Sequence, residues 1–388
     1  MISELIRPVR REFFRTAGYD GPGDPLDAAL PLLEIGIGPR RIRIVENAIL
    51  VPGGGILGPD GETLPDSRLR RGLRRSPQLG GEPIPPVTPS AFIPGEVLYL
   101  GWSHFHHFGH FLVESLSRYW AVDHLPPDIP FAWLGWRGTD RSPERMLERG
   151  ARFGIDPSRM RLILEPTHVD RLLVPDVTFE ERVYTHAEAA EPFRKIARTL
   201  LPDGDALTDQ PLYLSRAGTT SHLRHIAHEE LFEEFLRGQG WRVIRPHDLP
   251  GSEQLRAIRS HRVIAGPVGS SFHLTMFSEH RPSLHLFMYG GLQTSYILWG
   301  DVLQTPSCFV RCAQLRDPAP GGPRWLVDMD MAAAAAYLRD EGLIGNAPPP
   351  VPPDAPSAPA APAAPAAPAA PALAPGGMNG DQGPHRLP

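Results

Sequence analysis

Two stretches of the chain carry residue types suited to holding an anion. In Leu212–Phe232, LYLSRAGTTSHLRHIAHEELF, the arginines Arg216 and Arg224 follow a strand-like run. In Arg262–Phe277, RVIAGPVGSSFHLTMF, a short apolar run leads into Gly266-Pro267-Val268-Gly269 and then Ser270 and Ser271. A strand, a glycine turn and a helix start in that order aim free backbone N–H groups at one spot, which suits a phosphate or diphosphate. Arginine offers a planar fork for the same group. A serine N-cap and ordinary surface arginines explain the same residues without a ligand. Gly266 and Pro267 favour the ligand, because they stand at the carboxyl end of a strand, where open α/β sheets bind.

A second group lies in GHFLVESLSRYW, where His110, Glu114 and Arg118 recur at four-residue intervals. On a helix that spacing puts an imidazole, a carboxylate and a guanidinium on one face. A surface salt-bridged face accounts for it equally well. The run SHFHHFGH offers imidazoles at His104, His106, His107 and His110, but neither a cysteine nor a second carboxylate stands nearby in sequence, so no metal is expected. Asp328-Met329-Asp330 matches the Asp-x-Asp of metal-dependent sugar transferases, yet it directly precedes MAAAAAYL and reads as a helix cap. Gly53-Gly54-Gly55 lacks a following Lys-Ser/Thr and reads as a turn. No nucleotide-binding lysine loop, full Gly-x-Gly-x-x-Gly or Gly-x-Ser-x-Gly elbow occurs, which argues against kinase, dehydrogenase and hydrolase chemistry.

These residues need elements to hold them. The chain has 388 residues, enough for two domains with their own cores, and a net charge of −5 with both signs mixed throughout. That balance gives no basic face for nucleic acid. No transmembrane helix and no apolar signal core is expected, which leaves peripheral membrane association open. The two cysteines, Cys308 and Cys312, exclude a disulfide framework and fit a reducing cytoplasm.

Residues 1–95 read as a β-rich N-terminal region, with β-branched runs split by glycine clusters and Pro-Asp-Gly. Residues 96–210 alternate strand and helix: VLYL, a helical HFGHFLVESLSRYWAV, FAWL, a helical SPERMLERGARF, then RLILE and RLLVP. A second alternation fills 211–345: YLS, a helix near His228–Arg237, WRVIR, a helix across Ser252–Arg259, RVIAG, the helix after Gly269, and SLHLF. Such alternation predicts an α/β chain of two Rossmann-like lobes facing a cleft. From 346 to 388 proline and alanine dominate, which predicts an extended, disordered tail.

Three blocks in this order resemble the glycosyltransferase family 61 group, also described as a capsular-polysaccharide-biosynthesis family. In the first block His110, Glu114, Leu116 and Arg118 match the family's Tyr-His-Trp-Leu-x-Asp/Glu-x-Leu-Pro-Arg-Leu helix; in the second Arg216, Arg224, Ile226 and Glu229 match its Ser-Arg…Arg-x-Ile-x-Asn-Glu stretch. In the third, Glu253, Gln254, Gly266, Pro267, Gly269 and Phe277 match its Glu-Gln…Gly-Pro-His-Gly-Ala signature. The resemblance runs from Ile42 to Leu343. It implies a GT-B-like enzyme, a hexosyl- or pentosyltransferase that moves a sugar from a nucleotide-sugar donor to a glycan acceptor with inversion, in surface or extracellular polysaccharide synthesis. The N-terminal lobe would serve the acceptor and the C-terminal lobe the donor, without cofactor or metal. It makes Glu114 the candidate base, with His110 as the alternative base or acceptor-positioning group. Arg216, Arg224, Gly266, Gly269, Ser270 and Ser271 become donor-binding residues, and Arg118 and Glu253 acceptor or structural ones. The chain departs from the family pattern at Val268, Leu274, His228 and His285. A catalytically degenerate binding module on the same fold therefore remains the alternative, and a metal-dependent hydrolase built on the histidine run a third.

Overall fold

In a computed structural model, the described residues are 5–65, 83–103, 107–135, 143–202, 204, 206–219, 225–316 and 326–352. Among them two six-stranded sheets dominate. In chain order their strands are β1 (Phe14–Ala17), β2 (Ile42–Val51), β3 (Gly55–Leu57), β4 (Ala91–Trp102), β5 (Phe131–Leu134) and β6 (Met160–Ile163), followed by β7 (Thr167–Pro175), β8 (Leu212–Leu214), β9 (Arg242–Ile244), β10 (Val263–Pro267), β11 (Ser283–Met288) and β12 (Ser307–Arg311).

The first sheet has the order β3-β2-β7-β4-β5-β6. Strands β7, β4, β5 and β6 run parallel, and β2 and β3 add an antiparallel edge. Alternate residues of β4 enter different cores: Leu98 and Leu100 join one hydrophobic cluster, Val97 and Tyr99 another. A strand whose side chains alternate between two buried faces must be apolar throughout, which is why VLYL carries no polar position.

The second sheet has the order β9-β8-β10-β11-β12-β1, and every neighbouring pair is parallel. The helices Glu229–Gly238, Gly251–Ser260 and Thr294–Leu303 and a 3₁₀ helix, Ser270–Phe277, lie between its successive strands. Counted from β8, the spatial order of the first five strands is 2-1-3-4-5. The topological switch therefore falls between β8 and β10. The sixth strand, β1, comes from the start of the chain. Arg7 and Arg10 fix it there by clasping the fully buried carboxylate of Asp301, which they hold below the usual carboxylate range against the effect of burial.

Strands of the first 95 residues are thus shared out. β1 extends the second sheet, β2 and β3 extend the first, and Ile6–Pro8 and Glu34–Gly36 pair in a small sheet with Tyr184–His186 and Phe179–Glu180. One continuous hydrophobic cluster includes side chains from both large sheets. Its aromatic centre links the segments that matter below. Phe153 lies 5.6 Å from Phe111 and is stacked 5.6 Å from Phe277, while Phe193 meets Phe277 edge-on at 5.2 Å.

The helix expected over HFGHFLVESLSRYWAV needs correction. It is one α turn at Phe108–His110, a π turn at Phe111–Ser115 and a 3₁₀ segment at Tyr119–His124. Side chains capture the carbonyls that a regular helix would use. Ser117 Oγ donates to Glu114 O at 2.8 Å, Trp133 Nε1 to Ser115 O at 2.9 Å, and Thr178 Oγ1 to Ser117 O at 2.6 Å. With Phe111, Leu112, Val113, Leu116 and Trp120 all buried, packing on every side outweighs helical periodicity. By its contacts the chain divides into Met1–Val351 and Pro352–Pro388, and everything described here concerns the first unit. The expected disordered tail, 346–388, lies from residue 353 on outside the described residues.

Candidate active site

At the switch point, β8 and β10 run close together. A Cβ on Gly266 would come within 2.6 Å of Leu214 O, and Gly266 has φ +156°. Glycine at this position lets the two strands approach. Gly266 itself does not line the cavity that opens beyond it. Just beyond the strand ends a cavity of about 370 Å³ opens, within the usual size of small-molecule sites.

One wall of the cavity comes from the second sheet. Ser215, Arg216 and Thr219 follow β8, His247 and Leu249 follow β9, Gly251 and Gln254 begin the next helix, and Ser270, Ser271 and Leu274 follow β10. The rest of the lining comes from the first-sheet side: His107, Phe108, Arg149, Arg152 and Phe153. The lining carries three arginines, two histidines and no carboxylate. Such a wall is attractive to an anion.

Arg216 and Gly269 meet, as the sequence reading requires. The guanidinium lies over the glycine, so that a Cβ at Gly269 would overlap Nη1 and stand 3.4 Å from Cζ. Gly269 has extended backbone, φ 180°. Arg216 Nε is buried and has no hydrogen-bond partner among the described residues. The backbone beneath is pinned: Arg216 N donates to both oxygens of Glu229 at 3.1 Å, and Tyr213 Oη donates to Oε1 at 3.0 Å. Glu229 is fully buried at the start of helix Glu229–Gly238. Burial pushes its carboxyl up to about 7, although the Arg216 amide, the Tyr213 hydroxyl and the Arg216 charge pull it down. Arg224, the second arginine of the expected clamp, lies outside the described residues.

The His110–Glu114 segment sits beside this cavity. A Cβ on Gly109 would come within 2.7 Å of Ser270 Oγ. The rings of His107 and His110 are 4.3 Å apart. His110 Nδ1 and Glu114 Oε2 are 2.9 Å apart, with side-chain exposures of 26% and 1%. The expected i, i+4 pair therefore forms, but in the interior rather than on a surface face. Arg118 does not extend it, which corrects the three-residue face. After the π turn the chain turns away, and Arg118 Nε donates to Pro175 O at 2.9 Å with its guanidinium 5.1 Å over the Tyr99 ring. It ties the segment to the end of β7. Glu253 is exposed and does not line the cavity, whereas its neighbour Gln254 does.

Several contributors carried no local signal in the sequence. Arg149 and Arg152 belong to a helix, Pro143–Arg152, attached to the other sheet, and only the tertiary fold brings them to the same cavity as Arg216. His273 is buried and stacked on Tyr296 at 4.9 Å. Burial, with the nearby His110 and His107, pushes it down to about 3, so it is a neutral imidazole at working pH. Glu181, two residues beyond Phe179, offers an oxygen to His110 and Glu114: one ligand atom from each of the three lies within 4.8 Å of the others.

Of the positions that depart from the family pattern, Leu274 lines the cavity, and Val268, His285 and His228 lie outside its lining. Val268 is buried, and its N–H donates to Phe287 O at 2.9 Å. His285 Nδ1 is 2.6 Å from Tyr337 Oη. His228 adopts φ 56° as the residue ahead of Glu229. Asp330 caps helix Met331–Asp340 through Ala333 N at 2.8 Å, and both cysteines are buried thiols. His104 and His106 lie outside the described residues.

The family model of glycosyltransferase 61 matches residues 108–284. Every cavity-lining residue except His107 falls inside that segment. The resemblance carried by the three sequence blocks is therefore shown over this segment, and the family implies glycosyltransferase activity in general, with donor and acceptor substrates. No curated protein matches the chain. No helix among the described residues is long and apolar enough to cross a membrane.

Proposed function

We propose, from the premise that residues 108–284 form a glycosyltransferase 61 region, that the cavity holds a nucleotide-sugar donor and that the chain transfers its sugar to a glycan hydroxyl with inversion. The observation that carries this reading is the meeting of Arg216 with Gly269 at the switch between β8 and β10. There the backbone amides of Gly269, Ser270 and Ser271 and the Arg216 guanidinium take the diphosphate, with Arg149 facing them across the cavity. In this reading the two sheets are the cores of two GT-B-like lobes, the first for the acceptor and the second for the donor.

In the transfer step the acceptor O–H gives its proton to the His110–Glu114 pair. The acceptor oxygen bonds to the anomeric carbon from the face opposite the diphosphate. The carbon–oxygen bond to the diphosphate breaks, and its electron pair leaves on that oxygen. His110 is the exposed member of the pair and touches the acceptor. Glu114, nearly sealed from solvent, sits behind it and stabilises the imidazolium. Surface or extracellular polysaccharide is the expected product, made at a cytoplasmic site, with the hexosyl or pentosyl donor to be read by experiment.

Glu114→Gln tests this directly. Transfer from a panel of nucleotide sugars should fall by at least about a hundredfold while nucleoside diphosphate affinity stays within twofold. Full turnover in that variant rules the pair out. The second reading, a binding module, draws support from Val268, whose side chain is buried where the family has a histidine. Slow hydrolysis of a nucleotide sugar by the purified chain discriminates the two, since a pure binder releases no free sugar.

A further inference from the structure

The transfer step leaves Glu181 unused. Its side chain is 19% exposed and reaches a pair of residues that come from a different element. We propose that His110, Glu114 and Glu181 together hold one divalent first-row transition cation, Mn²⁺ or Zn²⁺, at the acceptor side of the cavity. The inference rests on the reading of the His110–Glu114 pair as the group that activates the acceptor hydroxyl.

Three observations carry it. First, the geometry converges: one donor atom from each residue lies within 4.8 Å of the other two. The 2.9 Å between His110 Nδ1 and Glu114 Oε2 matches ligands at right angles, as in octahedral coordination, around an ion bound at about 2.0–2.2 Å; a tetrahedral site needs them to open to about 3.3–3.6 Å. Second, the donors are held from two directions. The α turn that ends at His110 and the π turn that follows set His110 and Glu114, and Glu181 comes from the turn between Phe179–Glu180 and Tyr184–His186. That turn is locked by Arg182 at φ 70° and by Thr294 Oγ1 donating to Arg182 O at 3.1 Å. Third, the exposures grade from a closed floor to an open rim, 1% at Glu114, 26% at His110 and 19% at Glu181. A site with three protein ligands and one open side is the arrangement of catalytic rather than structural ions.

The donor set decides the ion. One imidazole with two carboxylates is harder than a thiolate site and softer than an all-oxygen one, which favours Mn²⁺ or Zn²⁺ over Cu⁺ and over Ca²⁺. Arg182 Nε stands 3.5 Å from Glu181 Oε1 with its side chain half exposed, and a cation would add its charge beside the two carboxylates. An acceptor hydroxyl bound at the open position would lose its proton more readily. With His110 Nδ1 on the ion, that proton would pass to the non-ligating carboxylate oxygen of Glu181 instead of the imidazole, and the bond made to the anomeric carbon and the bond broken to the diphosphate would be the same.

The full chain, stripped with a chelator and freed of it, should be titrated with MnCl₂ and read by electron paramagnetic resonance of free Mn²⁺, and with ZnCl₂ by calorimetry. One ion per chain is expected. Glu181→Gln should weaken binding by at least about tenfold. Asp328→Asn, which removes an acidic group of the Asp-x-Asp run, should leave affinity unchanged. X-ray absorption of the Zn²⁺-loaded wild type should report imidazole and oxygen ligands, which keeps the test alive if Glu181→Gln does not fold. No ion bound at 1 mM (about −4 kcal/mol of affinity), unaltered affinity in Glu181→Gln, a loss in Asp328→Asn, or a sulfur ligand would each overturn the site. If the stripped wild type binds no ion yet loses transfer on Glu114→Gln, the cation falls and the sugar-transfer reading stands. If the ion binds and no nucleotide sugar turns over, the cation stands and the transfer reading falls.

Discussion

Replacing Gly269 by alanine separates a diphosphate site from a loop that only looks like one. The glycine has extended backbone that any residue adopts, so the substitution carries no conformational strain. The added Cβ, however, would overlap Arg216 Nη1 and sit 3.4 Å from Cζ. Non-bonded heavy atoms need about 3.5 Å, so the guanidinium must retreat by roughly 1 Å. A charge-assisted hydrogen bond does not survive that displacement. Its loss is worth about 1.5–3 kcal/mol, or roughly 10- to 150-fold in Kd. Calorimetry with UDP, GDP, CDP and TDP should find this weakening for whichever one binds the wild type, and Arg216→Ala should weaken it by at least about tenfold. The double variant should bind no worse than Arg216→Ala alone, because both changes remove the same contact. Urea unfolding of Gly269→Ala should stay within about 0.5 kcal/mol of wild type. Unchanged affinity in Gly269→Ala, or fully additive losses in the double variant, would refute the argument that Arg216 over Gly269 holds the diphosphate.

Gly266→Ala should behave in the opposite way, losing stability rather than a ligand contact, because its Cβ meets the rigid Leu214 carbonyl at 2.6 Å and its φ is +156°. A loss of about 1–3 kcal/mol by urea unfolding is expected, and a wild-type midpoint would contradict the close approach of β8 and β10. Glu229 gives a pH dependence. Its folded-state pKa, raised to about 7, lies above that of an unfolded glutamate, so its contribution is fully present below about pH 4.5 and is lost as pH rises through 7. Between pH 5 and 8 the wild type should lose on the order of 2–3 kcal/mol more than Glu229→Gln, which stays neutral throughout. Parallel pH profiles for the two proteins would show that Glu229 is not held above its ordinary range.

Much of the second sheet was legible in the sequence because its signals are local. Strands β8 to β11 are short runs rich in apolar residues, the helices Glu229–Gly238 and Gly251–Ser260 fall where the periodicity puts them, and Gly266–Ser271 marks a strand-turn-helix junction, whereas β1 and β12 carried no such signal. The same locality made Asp330 readable as a cap. The His110 segment was misread because its period is helical while its fate is set by partners far along the chain. Trp133, Thr178 and the end of β7 take the carbonyls and the arginine that a helix would have kept or exposed.

The amino-acid sequence by itself therefore determined the α/β class, the family resemblance, and the pairing of His110 with Glu114, since four-residue spacing brings two side chains together in any helical turn. It also determined that Arg216 follows a strand end and Gly269 precedes a helix. What only the tertiary structure decided is that these ends are neighbours, through the 2-1-3-4-5 strand order. It alone turned Arg118 inward, brought Arg149 and Arg152 to the same cavity as Arg216, and brought Glu181 to His110 and Glu114. The physical reason is one of range: spacing along a chain fixes what lies within a turn or two, while contacts between distant segments follow from how buried faces are matched across the whole fold.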